Sequence, residues 1–188
     1  MEPSSRNYFA GRLVRLRGVE PEDWETLFLW NQDTEAARRM YFIPFPTSRE
    51  EVRQWVAKQA LQRGEEDAFF FVIETVAGEF VGSISPALCD RRNGTFSYGL
   101  GILPPHRRKG YAAEAIALLL NYFFGELCYQ KATAHVYSFN DPSIRLHERL
   151  GFVREGQVRR MHYTDGGYCD DILFGMTAEE FAERRTHG

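Results

Sequence analysis

The passage from Thr95 to Phe124 limits most tightly what this chain can fold into. A strand-like run, Thr95 to Leu103, ends at Pro104-Pro105. The basic turn His106-Arg107-Arg108-Lys109-Gly110 then leads at once into the longest helical stretch, with Gly125 fitting its C-cap. A strand feeding directly into a helix excludes all-β and all-helical folds and requires a sheet with a helix lying on it. The flanking segments extend that picture. Phe69–Thr75 and Glu79–Ser85 predict two strands joined at Ala77-Gly78, and Asn93-Gly94 turns the chain into the third. Lys131–Ser138 predicts the next strand, and Asp141 as N-cap with Pro142 at the first helical position starts a short helix that Gly151 ends. Phe152–Arg160 and Tyr168–Met176 flank a hairpin turn at Asp165-Gly166-Gly167.

The N-terminal third carries less pattern. Residues 12–17 alternate as a strand, and Pro21 opens a helical stretch bearing Trp24, Leu27, Phe28 and Trp30. Tyr41–Thr47, with two prolines, cannot be regular helix and is expected to wrap over a surface. Ser48 with Glu51 three residues on predicts a capping box. The order strand, helices, three strands, helix, strand, helix, two strands gives one α/β domain around a single mixed sheet, spanning residues 1–188.

Bulk properties exclude several classes. Apolar residues make up 44% and charged residues 26%, a globular balance. The net charge of -3 argues against nucleic acid as a partner. Cys89, Cys128 and Cys169 are odd in number and far apart, which predicts neither a disulfide framework nor a metal site. No run of 18 apolar residues occurs and the N-terminus has no signal-like apolar region, so a cytoplasmic protein without membrane partners is expected.

The strand-to-helix junction also carries chemistry. The first turn of a helix has unpaired N–H groups and a partial positive charge. Gly110 permits close backbone approach, Ala112 keeps the surface low, and Arg107, Arg108 and Lys109 add charge. The combination suits a phosphate. It is neither a Walker loop nor a Rossmann fingerprint, since both lack their required glycine spacing here.

Arg107-Arg108-Lys109-Gly110-Tyr111-Ala112 resembles the Gln/Arg-x-x-Gly-x-Gly/Ala signature of the GNAT acetyltransferases. Glu114-Ala115 follows as in many members, and Asn140-x-x-Ser143, Leu146, Gly151-Phe152, Glu155-Gly156 and Asp165-Gly166-x-Tyr168-x-Asp170 resemble the branch of RimJ/RimL-type ribosomal-protein and spermidine acetyltransferases. The resemblance implies a mostly antiparallel sheet of about seven strands, splayed between the fourth and fifth and flanked by helices. It implies acetyl-CoA as cosubstrate, with Ile102 and Leu103 along the pantetheine arm, Arg107 to Ala112 at the pyrophosphate, and Asn140 and Ser143 beside the thiol. It also implies a homodimer or higher homo-oligomer.

Acetyl transfer from a thioester needs a neutral amine, a stabilised carbonyl oxygen and a protonated thiolate; no metal is required. Many members of the family carry a glutamate on the fourth strand as base; Ser97 or Tyr98 stands there instead. Many carry a tyrosine as acid where this chain has His147. His147 as acid, His147 as a packing residue, and Ser143 as the thiol's partner all stay open, with Asn140 beside them. Lacking the strong base, the enzyme is expected to favour an α-amine, which at neutral pH lies about 1 unit below its pKa, against about 3 units for lysine. Glu155, His135 or a water chain remain alternative bases. His135 and Tyr137 share one strand face, lining the acceptor cleft or packing on the sheet. Trp24, Trp30, Tyr41, Phe42 and Phe45 are core candidates, some of them the acceptor wall, and Arg159 and Arg160 a solvated face. A peptide or protein N-terminal amine is the first reading, a small amine such as a polyamine, aminoglycoside or amino acid the second, and a CoA-binding module without catalysis the third.

Overall fold

A computed structural model describes residues 7–40 and 43–187. Among these residues seven strands form one open sheet in the order β1-β2-β3-β4-β5-β7-β6. β1 (Val14–Gly18), β2 (Phe71–Thr75), β3 (Phe80–Asp90) and β4 (Thr95–Ile102) pair antiparallel in sequence order. β5 (Lys131–Tyr137) runs parallel to β4, and β7 (Gly167–Thr177) and β6 (Val153–Thr164) complete the sheet antiparallel. The β4–β5 register is Thr95↔Lys131, Phe96↔Ala132 and Ser97↔Thr133, after which the strands part. The Thr133 hydroxyl donates to the Phe96 carbonyl at 3.3 Å where the fork opens. From Tyr98 onward one backbone edge of β4 is released from the ladder.

Among the described residues six α-helices cover the two faces. α1 (Trp24–Asn31), reached through a short turn of 3-10 helix at Pro21–Asp23, lies with α2 (Thr34–Met40) and α3 (Arg49–Ala60) on one side. α4 (Tyr111–Gly125), α5 (Asp141–Leu150) and α6 (Ala178–His187) lie on the other. β2 shows the division. Val72 packs among Leu27, Trp30, Val52 and Val56, whereas Phe71 and Ile73 join the cluster of Ile116, Leu119 and Phe123. Alternation along the strand sends neighbours to opposite faces. The α4 side is the larger core, with Phe96 stacked on Phe123 at 4.2 Å.

Several boundaries differ from the sequence expectation for identifiable reasons. β3 runs on through Pro86 because its pairing with β2 ends at Ile84, so the missing N–H leaves no gap in that ladder. α2 was not anticipated: it spans seven residues with a single buried position, Ala36, too little for a helical period to show. α6 was missed because Phe181 is its lone large apolar residue. The cap of α5 is Asn140, not Asp141: the Asn140 Oδ1 accepts from the Ser143 amide at 3.4 Å. Gly125 is the last residue of α4 and Glu126 its C-cap. At Ser48 the structure has half of the box, the Glu51 amide donating to Oγ at 3.0 Å. Asp165 and Gly166 both have positive φ, 52° and 76°, forming the two-residue turn that β6 and β7 require. No helix among the described residues is long and apolar enough to cross a membrane.

Candidate active site

At the end of β4, Arg108 and Gly110 adopt left-handed φ of 61° and 86°, while Lys109 between them does not. Such alternation turns successive amides toward one concavity, suited to an anion. α4 begins directly after Gly110, so the N–H groups of its first turn, Tyr111 and Ala112 included, add to that concavity. Arg107 folds back, its Nε donating to the Ile102 carbonyl at 3.1 Å, which fixes the turn to the strand end. Arg108 and Lys109 stay exposed and supply charge. These residues fit the pyrophosphate of acetyl-CoA. Ile102 packs toward the α4 core and Leu103 toward the α1 cluster, so the two line opposite sides of the strand end.

Glu114 holds this cradle in place, a role composition could not announce. Its carboxylate accepts from the amides of Arg12, Leu13 and Val14 at 2.9, 2.7 and 2.7 Å. The chain entering β1 is thereby clamped to the first turn of α4. A Cβ on Gly110 would stand 3.2 Å from Leu13, and one on Gly11 would stand 2.5 Å from Glu114.

α5 brings Asn140, Ser143 and His147 to the same side of the fork as the cradle. Ser143 is half-buried at the helix start. His147 is 5% exposed and packs among Tyr98, Phe152 and Phe174. Its Nδ1 lies 2.8 Å from the Ser143 carbonyl, which can only accept, so the proton sits on Nδ1. Nε2 therefore accepts from Tyr98 Oη at 3.0 Å. Burial pulls His147 below its ordinary pKa, against the opposing pull of the Ser143 carbonyl bond, and burial drives the Tyr98 phenol well above its own. The pair is neutral and its polar atoms satisfy each other. Of the two residues that could stand in place of a fourth-strand glutamate, Tyr98 faces this core and Ser97 is equally buried on the opposite face.

The face across the sheet has a different character. A Cβ on Gly101 would lie 2.6 Å from the Trp30 ring and 2.8 Å from Met40 Sδ. The end of α2 thus lies over β4, and from there it reaches the far side of the fork. The Asn140 Nδ2 donates to the Arg39 carbonyl at 3.3 Å, and Arg38 pairs with Asp165 of the β6–β7 turn at 3.3 Å. Beside α2 an open cavity of about 420 Å³ is walled by Trp30, Met40, Val52, Trp55 and Phe70, with Ser83 among its lining residues. Glu51 is the ionisable residue of its described lining. Trp30 is buried in the α1 cluster and also lines this cavity, and Trp24 lies under Arg53, whose guanidinium is 4.2 Å from its ring. Phe45 is 94% exposed and belongs to neither core nor wall, because the proline-flanked segment runs along the surface. Tyr41 and Phe42 lie outside the described residues. Arg159 and Arg160 are exposed on β6, Arg160 over the Tyr168 ring.

Comparison with known proteins agrees with this geometry. Residues 13–153 match the acetyltransferase (GNAT) domain. An uncharacterized N-acetyltransferase, YokL, of the SPbeta prophage in Bacillus subtilis is 46% identical over 174 residues, covering 93% of this chain and 95% of the relative. YdaF of the same organism, provisionally named a ribosomal N-acetyltransferase, is 26% identical over 176 residues, covering 89% and 93%. The Vibrio cholerae spermidine N-acetyltransferase, solved with CoA and spermine, superposes with a TM-score of 0.79 at 22% identity, covering 90% of this chain and 98% of that one. Fork, cradle and sequence match converge: the chain belongs to the GNAT family of N-acetyltransferases.

Proposed function

We propose that this enzyme transfers acetyl from acetyl-CoA to the α-amine of a peptide or protein N-terminus whose leading side chain is apolar. The cavity beside α2 carries this reading. Aromatic and aliphatic side chains wall it and, among its described lining residues, Glu51 alone is ionisable. A polyamine brings several cationic nitrogens, each of which would need an anionic or well-hydrated partner. An α-amine next to an apolar side chain needs one polar end and one dry pocket. Relatives active on polyamines keep the small-amine reading in the comparison.

The thioester enters from the α4 side, with Arg107 to Ala112 on its pyrophosphate and the released edge of β4, past Tyr98, along its pantetheine. Backbone N–H groups of that edge stabilise the carbonyl oxygen as charge builds on it. The amine arrives from the Trp30–Met40 side and meets the carbonyl in the fork. The departing sulfur lies by Ser143, whose hydroxyl is the proton source on this reading; His147 is turned into the core with its Nε2 already accepting. Asn140 orders the first turn of α5 around Ser143. Cys89, Cys128 and Cys169 are free thiols. Self-association as a dimer belongs to the same reading, with Met161 and Tyr163 exposed on the edge strand β6.

The test is thiol release from acetyl-CoA with a panel of peptides differing in their first residue, set against spermidine and aminoglycosides. Peptides with a large apolar first residue are expected to give the highest kcat/KM. Higher kcat/KM for spermidine than for every peptide would overturn the acceptor assignment.

A further inference from the structure

One titratable cluster on the amine's face has no part in the chemistry above. β5 presents Thr133, His135 and Tyr137 to one side, away from the Ala132–Ala134–Val136 core stripe. The Ser97↔Thr133 register puts Gly99 and Gly101 on that same side of β4. There Gly101 meets Trp30 and Met40, whereas a Cβ on Gly99 would meet nothing within 4 Å. His135 therefore stands across the fork from an open stretch of β4, on the face that the acceptor cavity occupies.

The His135 side chain is 48% exposed, and its Nδ1 lies 2.7 Å from Asp171 Oδ2. Asp171, on the neighbouring strand β7 opposite Tyr137, is 4% exposed. A carboxylate there accepts, so Nδ1 carries the proton and Nε2 keeps a lone pair. His162 of β6 approaches the same oxygen only to 3.7 Å, with Tyr137 against its ring at 4.6 Å. Farther along the strand, Lys131 pairs with Glu155 at 2.6 Å. Among the described residues no group of three His, Cys, Asp or Glu is placed to hold a metal ion, this cluster included. A buried carboxylate that fixes one imidazole nitrogen and leaves the other open is the arrangement of a histidine base and its orienting partner.

We propose that His135 is the general base of the reaction, held in its tautomer by Asp171 as a positioning residue. This rests on the N-acetyltransferase reading. His135 Nε2 takes one proton from the acceptor ammonium, directly or through one water. The neutral amine attacks the thioester carbonyl carbon, forming the C–N bond. The C–S bond breaks as the tetrahedral adduct collapses. The second nitrogen proton ends on the sulfur, passed through Ser143, and the imidazolium returns its proton to solvent. Asp171 stabilises the imidazolium while it exists.

The experiment is a pH series of kcat and KM on an accepted peptide, for the native enzyme and for His135→Gln, His135→Ala and Asp171→Asn. Melting temperature and acetyl-CoA affinity check folding in each. In the native enzyme kcat rises as the imidazole loses its proton. Both His135 variants should lose about 10²–10³-fold in kcat, with acetyl-CoA affinity kept. Their activity should then rise only as the peptide amine itself deprotonates, near about pH 8. Asp171→Asn removes the carboxylate that fixes the His135 tautomer, so kcat should fall by a smaller factor while KM for the peptide holds. A merely structural pair would lower melting temperature and leave the pH profile in place. His135→Gln with near-native kcat and an unchanged profile overturns the base assignment and leaves the acetyltransferase reading standing. A native enzyme that binds acetyl-CoA but acetylates no amine in the panel overturns both.

Discussion

Replacing His147 separates a ring that holds the fold from one that does chemistry. The ring is 5% exposed, with centroids 5.1 Å from Phe152, 5.5 Å from Phe174 and 6.0 Å from Tyr98. His147→Ala vacates an aromatic-sized volume, which in buried Phe→Ala changes costs about 3–5 kcal/mol. It also orphans the Tyr98 hydroxyl, a further penalty of about 1–3 kcal/mol. The two overlap because they share one site, so a total near 4 kcal/mol is expected, roughly a third to a half of a domain's usual margin. His147→Phe keeps the volume and isolates the polar part. It should cost about 1–3 kcal/mol, most of it recovered when Tyr98→Phe is added, since removing both partners leaves nothing unpaired. Urea unfolding of the two single variants, the double variant and the native protein reads these values. A pH series adds a second signature. Burial depresses His147 in the folded protein, so the unfolded chain takes up its proton first, from about pH 6.5 downward. The contribution of the neutral ring is full above that pH and is lost as pH falls toward the folded-state pKa, at no more than about 1.4 kcal/mol per pH unit. The Phe variant should lack that slope. If His147→Ala keeps the native urea midpoint and pH slope yet loses about 10²–10³-fold in kcat, the ring acts on substrate and the burial argument is refuted.

Three further outcomes follow from the cradle and the fork. Gly110→Val forces a branched side chain into φ of 86° with Leu13 3.2 Å from its Cβ, so acetyl-CoA affinity by calorimetry should collapse; native affinity would remove the phosphate site from this turn. Glu114→Ala strands three amides at the entry to β1 and should cost about 2–4 kcal/mol, raising KM for acetyl-CoA while kcat holds; a kcat loss with KM unchanged would point to direct chemistry instead. Ser143→Ala should lower kcat about 10²-fold with acetyl-CoA affinity kept, the deficit shrinking toward about pH 8.5 where a thiolate leaves unaided; a pH-independent deficit would exclude Ser143 as the proton source.

The sequence alone determined what depends on near neighbours along the chain. Alternation and turn chemistry located all seven strands, and Gly110 marked the cradle because a left-handed residue at a strand-to-helix junction is a local demand. The spacing of Ser143 and His147 put them on one helical face for the same reason. Tertiary structure decided what separate segments do to one another. Ser143 and His147 differ only in depth, and depth comes from Tyr98, Phe152 and Phe174 closing over the histidine. Seven residues of α2 carry too little period to be seen, yet their contacts with Gly101, Asn140 and Asp165 bound one side of the fork. His135 acquires an orienting carboxylate only because β7 returns beside β5 and places Asp171, thirty-six residues away, against its ring. Burial and long-range pairing set the protonation state of a side chain, and neither is written in its neighbours.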